Sequence, residues 1–205
     1  LSCYNCRFTG WQDTIFNGDP MTCNMKKLML PDFFQASEVP IVHKFYRNYF
    51  KDCYVCGDVD YIFGPNTAFF DHCEIHSIAR VSEEKAYITA ASTPAGQEFG
   101  LIFSHCRITG EEPDSVYLGR PWRDCAKTAF ICCELGDHIC PEGWQNWGKV
   151  RAEVLSDYIE YGNFGPGADC SGRSPLSRCL VNPEVETYFS KENVLVGEDG
   201  WIPAE

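Results

Sequence analysis

The sequence predicts an all-β chain, a solenoid of parallel strands, on three observations. Five cysteines share a local pattern: Cys6-Arg7-Phe8, Cys53-Tyr54-Val55, Cys73-Glu74-Ile75, Cys106-Arg107-Ile108 and Cys133-Glu134-Leu135. Four of them have Phe three residues earlier, at Phe50, Phe70, Phe103 and Phe130. The strand-like segments recur with Gly- and Pro-rich connections and little helical period, the cysteines falling 47, 20, 33 and 27 residues apart. In a strand, Cys and the apolar residue two places on share one face, while the Arg, Tyr or Glu between them points the other way. A cysteine at an equivalent inward position in successive turns stacks as an internal ladder, packing as a small hydrophobe. A β-sandwich is the alternative for the same short strands.

Each element follows from this rhythm. The first strand surrounds Cys6, close behind Leu1. Residues 17–43, with Met21, Met25, Met29 and several prolines, form a loop insertion outside the repeat. The Cys53, Cys73, Cys106 and Cys133 strands then follow. Residues 162–179 hold Gly162, Gly165, Pro166, Gly167, Gly172 and Pro175 and read as loop, opening a C-terminal tail over 162–205. Within it, Asn182-Pro183-Glu184 supplies an N-cap, a Pro at the first helical position and an acid in the first turn. A short helix over about 183–190 is expected to cover the open end of the solenoid. The whole chain, 1–205, is one domain.

Composition bounds the function. Lys and Arg number 17 against 29 Asp and Glu, a net charge of −12, so no basic excess exists to release phosphate counterions and nucleic acid is not a partner. No apolar run approaches the roughly 18–20 residues that cross a bilayer, so no membrane partner is expected. Thirteen cysteines cannot all pair internally. The Cys3/Cys6 and Cys53/Cys56 pairs lack zinc-ribbon spacing, and a strand places Cys53 and Cys56 on opposite faces, so no metal is assigned. Free thiols in such number suit a reducing habitat. The chain starts without Met or signal peptide and reads as a processed or truncated piece.

The sequence lacks G-x-S-x-G, G-x-x-x-x-G-K-[ST] and H-E-x-x-H patterns. It does place carboxylates inside apolar, aromatic stretches. Asp13 sits in Trp11-Gln12-Asp13-Thr14-Ile15-Phe16, and Asp58 and Asp60 sit in Gly57-Asp58-Val59-Asp60-Tyr61-Ile62-Phe63-Gly64. A charge bracketed by buried side chains must be paired, protonated or used. Arg120, in Leu118-Gly119-Arg120-Pro121-Trp122, is a partner beside an indole that can stack on a sugar ring.

Gln12-Asp13-Thr14, Asp60-Tyr61-Ile62-Phe63-Gly64 and Leu118-Gly119-Arg120-Pro121-Trp122, in that order, resemble the three signatures of the pectin methylesterase family. Tyr4-Asn5-Cys6-Arg7-Phe8, Ile88-Thr89-Ala90-Ala91-Ser92-Thr93-Pro94, Gly143-Trp144-Gln145-Asn146-Trp147-Gly148 and Gly165-Pro166-Gly167-Ala168 extend the likeness, which is closer to bacterial, Bacteroides-like members. The resemblance implies a right-handed parallel β-helix and hydrolysis of methyl esters of homogalacturonan to methanol and free carboxylates, without cofactor. It makes Asp60 the nucleophile, Asp13 the general acid/base and Gln12 an oxyanion-hole donor. Arg120 would hold Asp60 ionised, lowering its pKa, while apolar walls and the neighbouring charge raise that of Asp13. Trp122, Phe63 and Trp147 match substrate-lining positions. Asp58 is the rival nucleophile by proximity. The resemblance further implies a secreted, periplasmic or cell-surface protein, monomeric when full length.

Family members carry earlier helix turns and a further oxyanion-hole glutamine before Gln-Asp-Thr. This chain starts a dozen residues before that motif, so the piece alone is expected to be weakly active or inactive. Pro175 and Leu176 stand where relatives carry a strand with Trp. Two other readings compete: a polygalacturonase or lyase on the same fold, and a degenerate carbohydrate-binding β-helix. The −12 charge disfavours a polyanionic product more than neutral, methylated pectin.

Overall fold

The computed structural model describes residues 1–18, 46–80 and 84–204. The inserted segment expected over 17–43 therefore lies almost wholly outside the described residues. Sixteen strands of the described residues form three sheets in which every pairing is parallel. The seven-stranded sheet holds β1 (Ser2–Tyr4), β4 (Arg47–Lys51), β7 (Thr67–Asp71), β10 (Leu101–Ser104), β13 (Lys127–Ile131), β15 (Asp157–Tyr161) and β16 (Ser177–Leu180). The five-stranded sheet holds β2 (Arg7–Thr9), β5 (Tyr54–Gly57), β8 (Glu74–Ser77), β11 (Arg107–Gly110) and β14 (Glu134–Leu135). The four-stranded sheet holds β3 (Ile15–Phe16), β6 (Val59–Gly64), β9 (Ala86–Ala91) and β12 (Val116–Gly119). Through β12 the chain visits the three sheets in rotation, each circuit adding one strand to each, after which β13 and β14 extend two sheets and β15 and β16 the seven-stranded sheet alone: a parallel β-helix.

The repeat residues occupy the positions their periodicity demands. Cys53, Cys73, Cys106 and Cys133 are buried at the corner between the seven- and five-stranded sheets, and the amide N–H groups of Cys6 and Cys53 point at the sulfur one turn on. Ahead of each ladder cysteine stands a residue with positive φ: Asn5, Asp52, His72, His105 and Cys132, all between 51° and 53°. That left-handed residue turns the corner in every coil. The last rung is Asn163, not a cysteine; its Oδ1 accepts from the Cys133 N–H at 2.9 Å, behind Gly162 at the left-handed position (φ 63°). The phenylalanines form a second ladder, Phe50, Phe70, Phe103 and Phe130 stacking at 4.6, 4.7 and 4.5 Å between ring centroids.

The tail departs from its sequence reading in two places. Residues 162–179 are not all loop: β16 pairs with β15, and Cys170 is disulfide-bonded to Cys179, so not every cysteine is a free thiol. The expected helix is present as α2 (Glu184–Tyr188), followed by α3 (Lys191–Leu195) after the earlier α1 (Ala152–Leu155). It does not cover the solenoid's end. Phe189, Val194 and Leu195 instead pack on Tyr49, Phe69, Ile102, Ala129 and Ile159, the outward side chains of the seven-stranded sheet. These strands are apolar on both faces, so their outer face needs a lid. At the end of the Phe ladder stands Trp144, which stacks on Tyr158 at 4.2 Å and donates from Nε1 to Glu160 Oε1. Arg173 holds that buried Glu160 through both carboxylate oxygens, at 2.9 and 3.0 Å.

Candidate active site

Asp60 and Asp13 occupy equivalent positions on consecutive turns. Ile15 pairs with Ile62 and Phe16 with Phe63, a 47-residue offset shared by Asp13 and Asp60 (62 − 15 and 60 − 13). Neighbouring strands lie roughly 4.8 Å apart, so the two carboxylates emerge one strand spacing from each other. The Asp13 N–H donates to the Val59 carbonyl at 3.1 Å, fixing that register. Both residues have positive φ, 59° for Asp13 and 51° for Asp60. Asp tolerates the left-handed region better than most residues, yet the conformation still costs energy and is typical of sites where a side chain must be re-aimed. For Asp60 the device is a β-bulge: Val59 pairs with Tyr87 but Ile62 with Thr89, leaving one extra residue in β6.

Arg120 comes from the end of β12, two turns further on, with its N–H bonded to the Thr89 carbonyl. Its Nε and one terminal nitrogen grip the two oxygens of Asp60, each at 2.8 Å. The guanidinium is stacked against the Tyr87 ring at 3.8 Å and the Trp147 ring at 3.7 Å, which locks the fork's plane. Asp60 is 5% exposed. Burial pushes its carboxyl above the ordinary Asp range, and the Arg120 hydrogen bonds and charge pull against it without reversing the direction. This differs from the lowering expected from Arg120 alone, because removing a carboxylate from water outweighs one partner. Asp13 is also raised, by its partial burial and then by the Asp60 charge, with Arg120 opposing.

The other residues singled out in the sequence fall around this pair. Gln12 is exposed and lines an open cleft of about 530 Å³ whose walls include Tyr87, Tyr117 and Arg120. Trp122 meets Phe63 edge-on at 5.6 Å, both half-buried. Asp58 takes a different environment: its Oδ1 accepts from the Val59 N–H at 2.7 Å and its Oδ2 lies 3.8 Å from Arg80.

Two further side chains contribute to the site. Tyr87 was legible as the outward residue of Ala86-Tyr87-Ile88, one turn from its equivalent Tyr117, with which it stacks at 5.3 Å. Lys149 carried no signal; its ammonium donates to the Pro121 and Trp122 carbonyls and lies 4.2 Å from the Trp147 ring, tying the two tryptophan segments together.

Known proteins share both sequence and fold with this chain. The sequence model of the pectinesterase family matches residues 35–198, a span that contains Asp60 and Arg120. Pectinesterase 31 of Arabidopsis thaliana is 36% identical over 183 residues, covering 88% of this chain and 48% of that protein. The carrot pectin methylesterase structure superposes with a TM-score of 0.77 at 25% identity, covering 97% of this chain and 57% of that one. The Yersinia enterocolitica enzyme gives 0.66 at 27% identity, covering 92% and 58%. Plant and bacterial proteins thus both match, which does not single out the bacterial type the residues suggested. The chain spans about half the length of these relatives. With four-fifths of its residues inside the family match and the same parallel β-helix, the chain belongs to the pectinesterase family.

Proposed function

We propose that the chain hydrolyses methyl esters of homogalacturonan, using Asp60 as nucleophile and Asp13 as general acid and base. The observation that carries this reading is the in-register pair of aspartates, one clamped by a stacked arginine and the other more open. Asp60 attacks the ester carbonyl carbon, forming a C–O bond and a tetrahedral oxyanion. The Gln12 amide donates to that oxyanion. Collapse breaks the bond to the methoxy group, and protonated Asp13 gives its proton to departing methanol. Asp13, now ionised, takes a proton from water, whose oxygen attacks the galacturonyl carbonyl and releases Asp60 as a carboxylate. The raised Asp13 pKa suits a group that must hold a proton first and accept one later. Phe63, Trp122 and Trp147 offer ring faces to the sugars.

The same reading places the protein where pectin is, outside the cytoplasm, and makes it monomeric when full length. No helix among the described residues is long and apolar enough to cross a membrane. The test is incubation with highly methylated pectin, following methanol, new reducing ends and unsaturated products together. Methanol without the other two, released at a low rate and lost in Asp60→Asn while pectin binding persists, is the expected result. Reducing ends or unsaturated products would assign a glycosidase or lyase, and binding without methanol a carbohydrate-binding role.

A further inference from the structure

The left-handed corner of the solenoid stacks one exposed or half-buried side chain per turn outside the cysteine ladder: Asn5, Asp52, His72, His105, Cys132. Asn, Asp and His are the non-glycine residues that best tolerate this backbone region; cysteine is not among them. Cys132 therefore has no conformational reason to be there, and the ladder role belongs to its neighbour Cys133. Helix α2 crosses this corner and brings Glu186 against it. The His105 Nε2 lies 3.8 Å from Glu186 Oε1, and ligand atoms of His105, Cys132 and Glu186 all fall within 4.8 Å of one another.

We propose that His105, Cys132 and Glu186 form a binding site for a divalent transition metal of the zinc class, pinning α2 to the β-helix corner. The donor set is one nitrogen, one sulfur and one oxygen, which suits a borderline-soft ion, with water as fourth ligand. Tetrahedral zinc holds such donors about 3.3–3.6 Å apart, so the His105–Glu186 gap needs to close by only a few tenths of an ångström. The imidazole is already oriented. Ser104 Oγ lies 2.9 Å from His105 Nδ1, and in the tautomer with the proton on Nδ1 it accepts that N–H and leaves the Nε2 lone pair free for metal. His72 stacks on the ring at 5.2 Å with planes 7° apart, limiting its rotation. Behind Cys132, the glycine at Gly162 leaves space for the sulfur, which a Cβ there would approach to 3.0 Å. Binding replaces the Cys132 S–H by an S–metal bond and releases that proton to solvent, so affinity falls as pH falls.

The described residues contain one other such grouping, Glu160, Cys170 and Cys179, whose sulfurs are spent in a disulfide and whose carboxylate is held by Arg173. The corner site stands apart from the esterase reading and does not depend on it. Cobalt(II) chloride is titrated into the full chain, reading the near-ultraviolet thiolate-to-cobalt band, with zinc(II) chloride as competitor and thermal unfolding alongside. One equivalent of cobalt should give the band, zinc should displace it, and the unfolding temperature should rise. Cys132→Ser should abolish the band, and Glu186→Gln, on the exposed helix surface, should weaken affinity at least roughly tenfold. No band in the parent chain, a band that survives Cys132→Ser, or unchanged affinity in Glu186→Gln would each overturn the proposal.

Discussion

Replacing Arg120 with Ala leaves the Asp60 carboxylate in its pocket without its partner. The two side chains are 16% and 7% exposed, so this is a buried pair, and deleting one member of such a pair costs about 3–5 kcal/mol. For a chain of this size that is a fall in unfolding temperature of roughly 6–20 °C. The change also has a pH dependence with a definite sign. Asp60 is already raised by burial, and the two largest influences opposing that rise both come from Arg120. Their removal raises it further. A carboxyl raised in the folded state costs stability while ionised, above its folded pKa, and that cost disappears as pH falls through it. The variant's deficit is therefore largest at neutral pH and narrows on acidification, while the acid limb of methanol release moves to higher pH. Urea unfolding and rate profiles measured at several pH values read both effects. A deficit constant from pH 7 to pH 4 with an unmoved acid limb would refute the assignment of Arg120 as the group that holds Asp60 charged.

Three further outcomes follow from the core and the tail. Phe103→Ala removes the middle ring of the phenylalanine ladder and should cost about 3–5 kcal/mol by calorimetry; a loss under about 1 kcal/mol would show that the stack is not the solenoid's spine. His138 is 1% exposed, neither ring nitrogen has a hydrogen-bond partner among the described residues, and burial lowers its pKa to about 4. Its folded state is neutral, so stability is full above an ordinary His pKa near 6.5 and declines by about 3 kcal/mol as pH falls to about 4; His138→Asn should flatten that slope. Reducing the Cys170–Cys179 disulfide frees a short loop and should remove about 2–3 kcal/mol, read as a lower unfolding temperature with reductant than without; Cys179→Ser should be insensitive to reductant.

Most of the fold was legible because a solenoid writes its period into the chain. Cys53, Cys73, Cys106 and Cys133 repeat a side-chain environment, and repetition is visible without knowing the structure. Asp13 and Asp60 share that legibility, since their offset equals that of Cys6 and Cys53. The features that escaped are those where a different residue fills the repeated position. Asn163 completes the cysteine ladder through a side-chain amide, hidden in a Gly-rich stretch that reads as loop. Asn182-Pro183-Glu184 signalled a helix start but neither its docking face nor the second helix, Lys191–Leu195, because a capping signal marks where a helix begins and not what it packs against. The Glu160–Arg173 pair depends on a fold-back of the 162–173 segment that no local pattern encodes. The direction of the Asp60 pKa was misjudged from sequence because a neighbouring arginine is visible there and the extent of burial is not.

Trapping of the acyl intermediate distinguishes Asp60 from Asp58 as the nucleophile. Hydroxylamine added during turnover of methylated oligogalacturonide attacks a carboxylate activated as the mixed anhydride and marks it as a hydroxamate, located by peptide mass. A substrate-dependent mark is expected on Asp60, absent in Asp60→Asn. A mark on Asp58 with none on Asp60 would contradict Asp60 as the nucleophile.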